Sequence, residues 1–356
     1  MKNSSTLCYL HIPFCDSKCH YCAFNSYVDR FEMREAYMQA VVKQLRRDLE
    51  RYDIQKGQIA TLFIGGGTPS TVASELYAPF FETLSPYMSD EAEITTEANP
   101  NSASGKWLWG MRKLGVNRVS FGVQSFFDDK LAFLGRAHRA AKAKEATFAA
   151  ADTGFARISL DLIYATMLDT PARIETELQE ALALPIEHLS AYELTIEEGT
   201  PFQDRPEVRK ESLPQARLIA EATRAKGWQH YEVSNYGQTP CRHNMGYWEY
   251  RPYLGIGSGA AGRIGNERLY PHTLPEAYID DPFFKAIEPL DEEAIREEKV
   301  LLGLRSVVGI EADILKPHHL ARCKMLEEEG KLRYREGRYY NDDFWLSDEI
   351  ALFILG

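Results

Sequence analysis

Cys8-Tyr-Leu-His-Ile12-Pro-Phe-Cys15-Asp-Ser-Lys-Cys19-His-Tyr-Cys22 joins a short apolar run to a loop that carries three cysteines. Cys8–Ile12 reads as a buried strand, and Pro13, which has no N–H for a sheet ladder, ends it. The cysteines, spaced C-x3-C-x2-C, therefore fall on the first loop after the first strand. Three thiolates on one loop can wrap an iron–sulfur cubane and leave one iron without a protein ligand. A substrate or cofactor needs such an open position in order to coordinate. The competing reading is zinc with His20 as fourth ligand, although structural zinc loops usually contribute their ligands in separated pairs.

The pattern around this stretch repeats. Short apolar, β-branched runs recur at Thr61–Ile64, Ile94–Glu97, Arg118–Val123, Ile158–Tyr164 and Leu189–Leu194. Amphipathic stretches of helix length lie between them, at about 32–51, 74–84, 102–114, 140–153 and 171–184, with a further one at 213–226. Apolar strands separated by helices imply a parallel sheet built from βαβ units. The fold class expected is α/β, a partial or complete TIM-like barrel, with a flat doubly wound sheet as the alternative. In both, ligand chemistry sits at the C-terminal ends of the strands. The barrel is assigned to residues 1–235. Residues 236–290 are rich in Gly, Pro, Tyr and Asn and read as extended loops packed over it. Residues 291–356 read as helices followed by a hairpin at Lys331–Tyr340 with its turn at Gly337, a small winged-helix-like α+β module.

Composition narrows the function. With 41 Lys and Arg against 52 Asp and Glu, the net charge of −11 argues against nucleic acid as the main partner. No run approaches the roughly 18 apolar residues of a membrane span. Met1–Thr6 is short and polar, so export is not expected and the cytoplasm is. Three of the six cysteines crowd into eight residues, which reads as metal binding before disulfides.

The cysteine segment resembles the signature of the radical S-adenosylmethionine superfamily. Its flanks, Tyr9-Leu-His-Ile-Pro-Phe-Cys15 and Tyr21-Cys22-Ala-Phe-Asn25, resemble the branch that holds the oxygen-independent coproporphyrinogen III oxidases and the HemW-type haem chaperones. The resemblance runs over nearly the whole chain. It implies a [4Fe–4S] cluster on Cys15, Cys19 and Cys22, and S-adenosylmethionine as cofactor.

Gly65-Gly66-Gly67-Thr68-Pro69 follows the second strand. Its glycines let the backbone approach a ligand closely, and it lacks the Lys-Ser/Thr ending of a phosphate loop. The resemblance implies contact with the amino-acid end of S-adenosylmethionine. Polar residues then stand in apolar strand settings: Glu97, Gln124 with Ser125, Asp161, and Arg136 with His138 just beyond. A strand carboxylate is costly unless it is paired or faces a ligand. By resemblance Tyr9, Tyr21, Glu97, Gln124, Arg136 and Asp161 line one or two S-adenosylmethionine sites, with Thr195 and Ala261 as weaker carry-overs. Glu97 or Asp161 would accept ribose hydroxyls, and Arg136 would meet a carboxylate.

Three features separate the two kinds of relative. The oxidase type carries a further Cys two positions after the last cluster ligand, and here that position is Phe24. Only eight residues precede Tyr9, where the oxidase type has an extension. Cys241-Arg-His243-Asn244-Met-Gly-Tyr247-Trp248 resembles the chaperone pattern His-Asn-x-x-Tyr-Trp. All three favour the chaperone branch over oxidative decarboxylation of a porphyrinogen. A neutral imidazole at His243 could ligate haem iron, Tyr247 and Trp248 could face a porphyrin, and Cys241 could add a soft ligand. The resemblance implies haem as cargo, an acceptor protein, a possible homodimer, and membrane association only through a partner. The chain departs from the family at Ala165-Thr-Met, where Gly-Leu-Pro is usual, and at Ala261, where many relatives carry His.

Overall fold

The structure is a computed structural model that describes residues 5–356. The polar start, Met1–Ser4, lies outside the described residues. The parallel strands the sequence predicted are present: β1 (Thr6–Ile12), β2 (Ile59–Gly66), β3 (Met88–Ala98), β4 (Arg118–Gln124), β5 (Arg157–Tyr164) and β6 (His188–Glu193). Between and after them run α1 (Arg34–Arg51), α2 (Ala78–Leu84), α3 (Gly105–Lys113), α4 (Asp128–Phe133), α5 (Ala140–Asp152), α6 (Pro171–Leu182) and α7 (Leu213–Ala225). Two helices start on built caps: Ser104 accepts from the Trp107 N–H, and Thr170 accepts from the Arg173 N–H ahead of Pro171. Strands are apolar on both faces because helices cover one and the barrel interior the other, as the almost continuously buried β1 shows.

Beyond β6 the sheet turns antiparallel through β7 (Gln229–Glu232) and β8 (Asn235–Gly237). With β9 (Tyr253–Ile256), β10 (Gly262–Ile264), β11 (Glu267–Tyr270) and β12 (Ala286–Pro289), the twelve strands run in the order β12-β11-β10-β9-β1-β2-β3-β4-β5-β6-β8-β7, so the two edge strands do not pair and the barrel is partial.

The extended loops expected over residues 236–290 are a misreading. After α8 (Arg242–Trp248), β9 (Tyr253–Ile256) pairs parallel to β1, and β10 (Gly262–Ile264), β11 (Glu267–Tyr270) and β12 (Ala286–Pro289) extend the same sheet, with α9 (Pro275–Asp280) before the last strand. These strands are three or four residues long, too short to show a period of two, and their Gly and Pro mark the turns between them.

The C-terminal module has α10 (Glu292–Leu304), β13 (Ile310–Glu311), α11 (Pro317–Glu328), β14 (Arg333–Arg335), β15 (Arg338–Tyr340) and α12 (Ser347–Leu355). The order β13-β15-β14 makes a small antiparallel sheet. Val300, Leu304, Ile310, Cys323, Leu326, Tyr339 and Ile350 form a core separate from that of the barrel. The module is tied to the barrel by backbone bonds, from the Val233 N–H to Arg305 O at 2.9 Å and from the Val307 N–H to Tyr231 O at 2.9 Å.

Candidate functional site

The three cysteines lie on the loop between β1 and α1, at the end of the barrel where ligands bind. The loop is held at several points. The Lys18 ammonium donates to Phe24 O and to Ser26 Oγ, both at 2.8 Å, and so closes the loop around its own charge. Asn25 Nδ2 donates to Ser258 O at 3.1 Å and Thr273 O at 3.0 Å, fastening the loop to the β9–β12 extension. His20 Nδ1 bonds Phe133 O at 2.9 Å, and its ring packs edge-on against Phe202, so its side chain serves the loop's anchorage to α4.

Among the described residues no three His, Cys, Asp or Glu side chains converge as they would on one ion. A cubane spreads its thiolates over separate irons, so its ligands need not meet at a point. Burial pushes the thiols of Cys15 and Cys22 up; Cys19 and Cys22 add to the shift of Cys15, and Cys19 to that of Cys22. Bound metal reverses this, because it takes the thiolate.

The glycine motif packs beneath this loop. Gly66 has φ +111°, and a Cβ there would come within 2.6 Å of the His11 ring. The Gly67 N–H donates to Ile12 O at 2.7 Å, and a Cβ on Gly67 would lie 2.8 Å from Phe14 O and 3.0 Å from Cys15 Sγ. These glycines are thus required by close approach to the thiol loop as well as by any ligand. Thr68 Oγ1 stands 3.4 Å from Cys15 Sγ. The Gly66 N–H donates to Glu97 Oε2 at 3.2 Å, and Glu97 lies 3.0 Å from where a Gly65 Cβ would be.

Glu97 and Asp161 face into the barrel from β3 and β5. Burial raises the Glu97 carboxyl to about 8, with Asp161 adding to it and the Gly66 N–H opposing. Burial raises Asp161 to about 6, opposed by hydrogen bonds from Ser190 and Ser120. Two buried carboxylates pushed upward mark a candidate functional site.

Arg136 approaches from the far side. Its Nη1 donates to Cys19 Sγ at 3.3 Å and its Nη2 to Gly122 O at 2.7 Å, beside Tyr21. Two buried polar atoms here have no hydrogen-bond partner, Arg136 Nε and Gln124 Oε1. Gln124 holds a left-handed backbone, φ +67°, at the end of β4. Buried polar groups are nearly always satisfied, so a donor and an acceptor left open together fit a polar ligand. His138 Nε2 bonds Val123 O at 3.0 Å and supports the same strand end.

A cavity of about 650 Å3 continues from Tyr9, His11, Gly66 and Glu97 past Tyr247 and Tyr253 to Leu301 and Leu302 of α10. Phe24, 70% exposed, stands at its rim, and Ala261 is in its wall. Thr195 is exposed and outside it.

The His-Asn-x-x-Tyr-Trp segment is α8, laid across the end of the barrel opposite the cysteines. His243 is buried, with Nδ1 at 2.7 Å from Thr61 Oγ1 and Nε2 at 3.0 Å from the Tyr247 hydroxyl. Burial lowers its pKa to about 3. Both ring nitrogens are engaged, so the open axial ligand expected from the sequence is not what this arrangement presents; an iron bond at Nε2 requires the Tyr247 hydroxyl to leave. Cys241 is buried against Glu93, its Sγ 3.5 Å from Oε1, and Glu93 also pairs with Arg118 and Arg157. Trp248 Nε1 is buried without a partner and the ring is not in the cavity wall. The structure therefore brings Tyr9, Gly66, Glu97 and Tyr247 into one cavity, and Tyr21, Gln124 and Arg136 beside Cys19. It keeps His243 and Trp248 apart from both.

Several residues of the site had no role assigned from the sequence. His11 bonds Tyr9 OH at 2.9 Å and Asn25 O at 2.8 Å, and Lys18, Asn25, Ser120 and Ser190 act as above. His11 and Asn25 lie within the conspicuous flanks of the cysteines. Ser120 and Ser190 carry no signal beyond their place on strands.

Residues 9–181 match the Radical SAM superfamily. The heme chaperone HemW of Bacillus subtilis is 34% identical over 85% of this chain and 84% of its own length. The heme chaperone HemW of Haemophilus influenzae is 36% identical over 72% of this chain and 70% of its own. In fold, the chain is similar to coproporphyrinogen III oxidase (HemN) from Escherichia coli, a radical SAM enzyme, with TM-score 0.80, 20% identity and coverage of 99% of this chain and 90% of that one. By its likeness over most of their length to these chaperones, and by the cysteine loop set over a partial barrel, the chain belongs to the HemW family of the radical S-adenosylmethionine superfamily.

Proposed function

We propose that this protein is a haem chaperone that holds a [4Fe–4S] cluster through Cys15, Cys19 and Cys22, binds S-adenosylmethionine beside it, and passes haem to an acceptor protein. One observation carries the reading: the space bounded by Gly66 and Glu97 under the thiol loop is continuous with an aromatic, tyrosine-lined space that reaches the C-terminal module. Such a cavity has room for a second ligand next to the cofactor, within the roughly 300–1,000 Å3 usual for small-molecule sites.

The residues present suit the groups. Thiolates are the soft donors an iron–sulfur cluster takes. Arg136 Nε and Gln124 Oε1 offer a donor and an acceptor to the polar end of S-adenosylmethionine, and Glu97 and Asp161 offer acceptors to its ribose. When bound, the cluster would supply an iron site open to an amino and a carboxylate group. The chain's own part is to orient: Thr68 and Gly67 fix Cys15, Arg136 reaches Cys19, and His11 holds Tyr9. Tyr247 and Tyr253 supply flat surface to a tetrapyrrole. His243 supports that surface through its bond to Tyr247.

All six cysteines are free, in keeping with a reducing compartment such as the cytoplasm, and no helix among the described residues is long and apolar enough to cross a membrane. The oxidase alternative has less support, because the position of the further cysteine is taken by the exposed Phe24.

The test is anaerobic reconstitution, with iron and sulfide assayed and spectra recorded before and after S-adenosylmethionine and then haem. About four irons and four sulfides with a haem Soret band is the expected result. Zinc without sulfide would end the cluster assignment, and turnover of coproporphyrinogen III to protoporphyrinogen IX would replace the chaperone reading.

A further inference from the structure

Among the described residues two arginines are buried, Arg118 and Arg263. Arg118 lies in the barrel floor and pairs with Glu93. Arg263 makes no ion pair. Its guanidinium is held by two backbone carbonyls, Gly265 O at 3.3 Å and Tyr250 O, and it lies 3.8 Å over the Tyr250 ring. A buried charge without a counter-charge is expensive, and carbonyl dipoles and a ring face offset only part of that cost.

The position of Arg263 sharpens the point. It is on β10, directly opposite Arg268 of β11 in the register of the sheet. Like charges facing each other across a strand pair repel. Arg268 is neutralised by Glu298 and by Glu288 at 3.3 Å. Glu298 is further engaged by the Tyr250 hydroxyl at 2.7 Å, and so is taken up before it could serve Arg263. Arg251 and Arg305, which also line the cavity, pair with Glu249 and Asp348. Of the four arginines around this cavity, Arg263 alone lacks a carboxylate. Burial pulls its pKa down, and Arg268 adds to this while Tyr250, Tyr253 and Glu298 oppose it.

We infer that Arg263 anchors a carboxylate of the ligand that fills the outer half of the cavity, between Tyr250, Tyr253 and Leu302. On the haem-handling reading, on which this rests, that carboxylate is a haem propionate. A carboxylate is also carried by S-adenosylmethionine, so the experiment separates the two sources. Wild type and Arg263→Gln are titrated with haem and with haem dimethyl ester, followed by the Soret band, and the reconstituted proteins are dialysed against labelled S-adenosylmethionine. Arg263→Gln is expected to weaken haem about tenfold or more, leave the ester unchanged and leave S-adenosylmethionine unchanged, since charge-assisted hydrogen bonds to carboxylates are of that strength. In wild type alone, haem is expected to bind about tenfold tighter than its ester, an arm that needs no variant to fold. Equal binding of haem and ester by wild type, or of haem by both proteins, would overturn the assignment. Loss of S-adenosylmethionine without loss of haem would overturn it too, by giving the carboxylate to the other source. A wild type that takes up no haem at all would overturn the haem-handling reading itself, a separate outcome.

Discussion

The Nε2 atom of His243 stands 3.0 Å from the phenol oxygen of Tyr247, one helical turn away on α8. With Nδ1 bonded to Thr61 on β2, the imidazole links the helix to the barrel floor and turns the Tyr247 ring toward the cavity. His243→Ala removes two buried hydrogen bonds and leaves a void, and is expected to cost about 2–4 kcal/mol in denaturant unfolding. A stable His243→Ala protein that lost its haem spectrum, while Tyr247→Phe kept it, would instead show that Tyr247 swings away and that His243 reaches the iron.

Gly67 is the position where the second strand end meets the thiol loop. Gly67→Ala puts a methyl group 2.8 Å from Phe14 O and 3.0 Å from Cys15 Sγ, and the backbone oxygen cannot yield as a side-chain end could. The variant is expected to fold with a loss of about 1–3 kcal/mol and to incorporate less iron and sulfide than wild type. Full cluster content, measured by metal and sulfide analysis, would show that the loop adjusts.

Lys130 is buried with its ammonium 2.7 Å from Asp169 and 3.1 Å from Glu177, and Ser125 donates to Glu177. This triad ties α4 to α6 and to the loop after β5, beside the strands that bear Gln124 and Asp161. Lys130→Met leaves two buried carboxylates without their cation and should destabilise by about 3–5 kcal/mol. The triple variant Lys130→Met, Asp169→Asn, Glu177→Gln should recover most of that loss in the same urea titration.

Glu97 sets a pH dependence. Its folded carboxyl titrates near 8 and its unfolded one near the ordinary 4.5. Between these values the folded protein holds a proton that the unfolded chain has lost, so stability falls as pH rises through that window. Asp161, raised to about 6, acts in the same sense at lower pH. The unfolding free energy of the metal-free protein is expected to drop from pH 5 to pH 8, and Glu97→Gln to flatten that drop by an amount on the order of a few kcal/mol. Identical pH profiles for the two proteins would refute this.

Ala165 directly follows β5 with φ +64°, a left-handed backbone that costs a residue with a Cβ about 1–2 kcal/mol. Its N–H donates to Gln215 Oε1 at 2.9 Å and its carbonyl accepts from the Lys210 N–H at 2.8 Å, which hold it there. The family's usual glycine at this position is the residue such a backbone favours. Ala165→Gly is expected to raise stability by about 0.5–1 kcal/mol, less than the relieved strain because glycine also frees the unfolded chain. A lower unfolding midpoint would contradict it.

The sequence by itself determined the parallel strands, most of the helices and the cysteine loop. Each is written in a local signal: apolar runs of strand length, amphipathic stretches between them, and thiols too close in the chain to serve distant sites. It also determined that the glycine motif and Glu97 fall at strand ends, since strand order fixes which end carries the loops. Tertiary structure decided the rest. Strands β9–β12 are too short for periodicity and exist only because β1 offers an unpaired edge to β9. Whether His243 is a ligand or a brace depends on Thr61 and Tyr247, the first of them 182 residues away in the chain. Arg263 looks like any other arginine until the sheet sets it opposite Arg268 with every nearby carboxylate already taken. Burial and pairing are properties of contacts between distant segments, so no window of sequence around these residues could contain them.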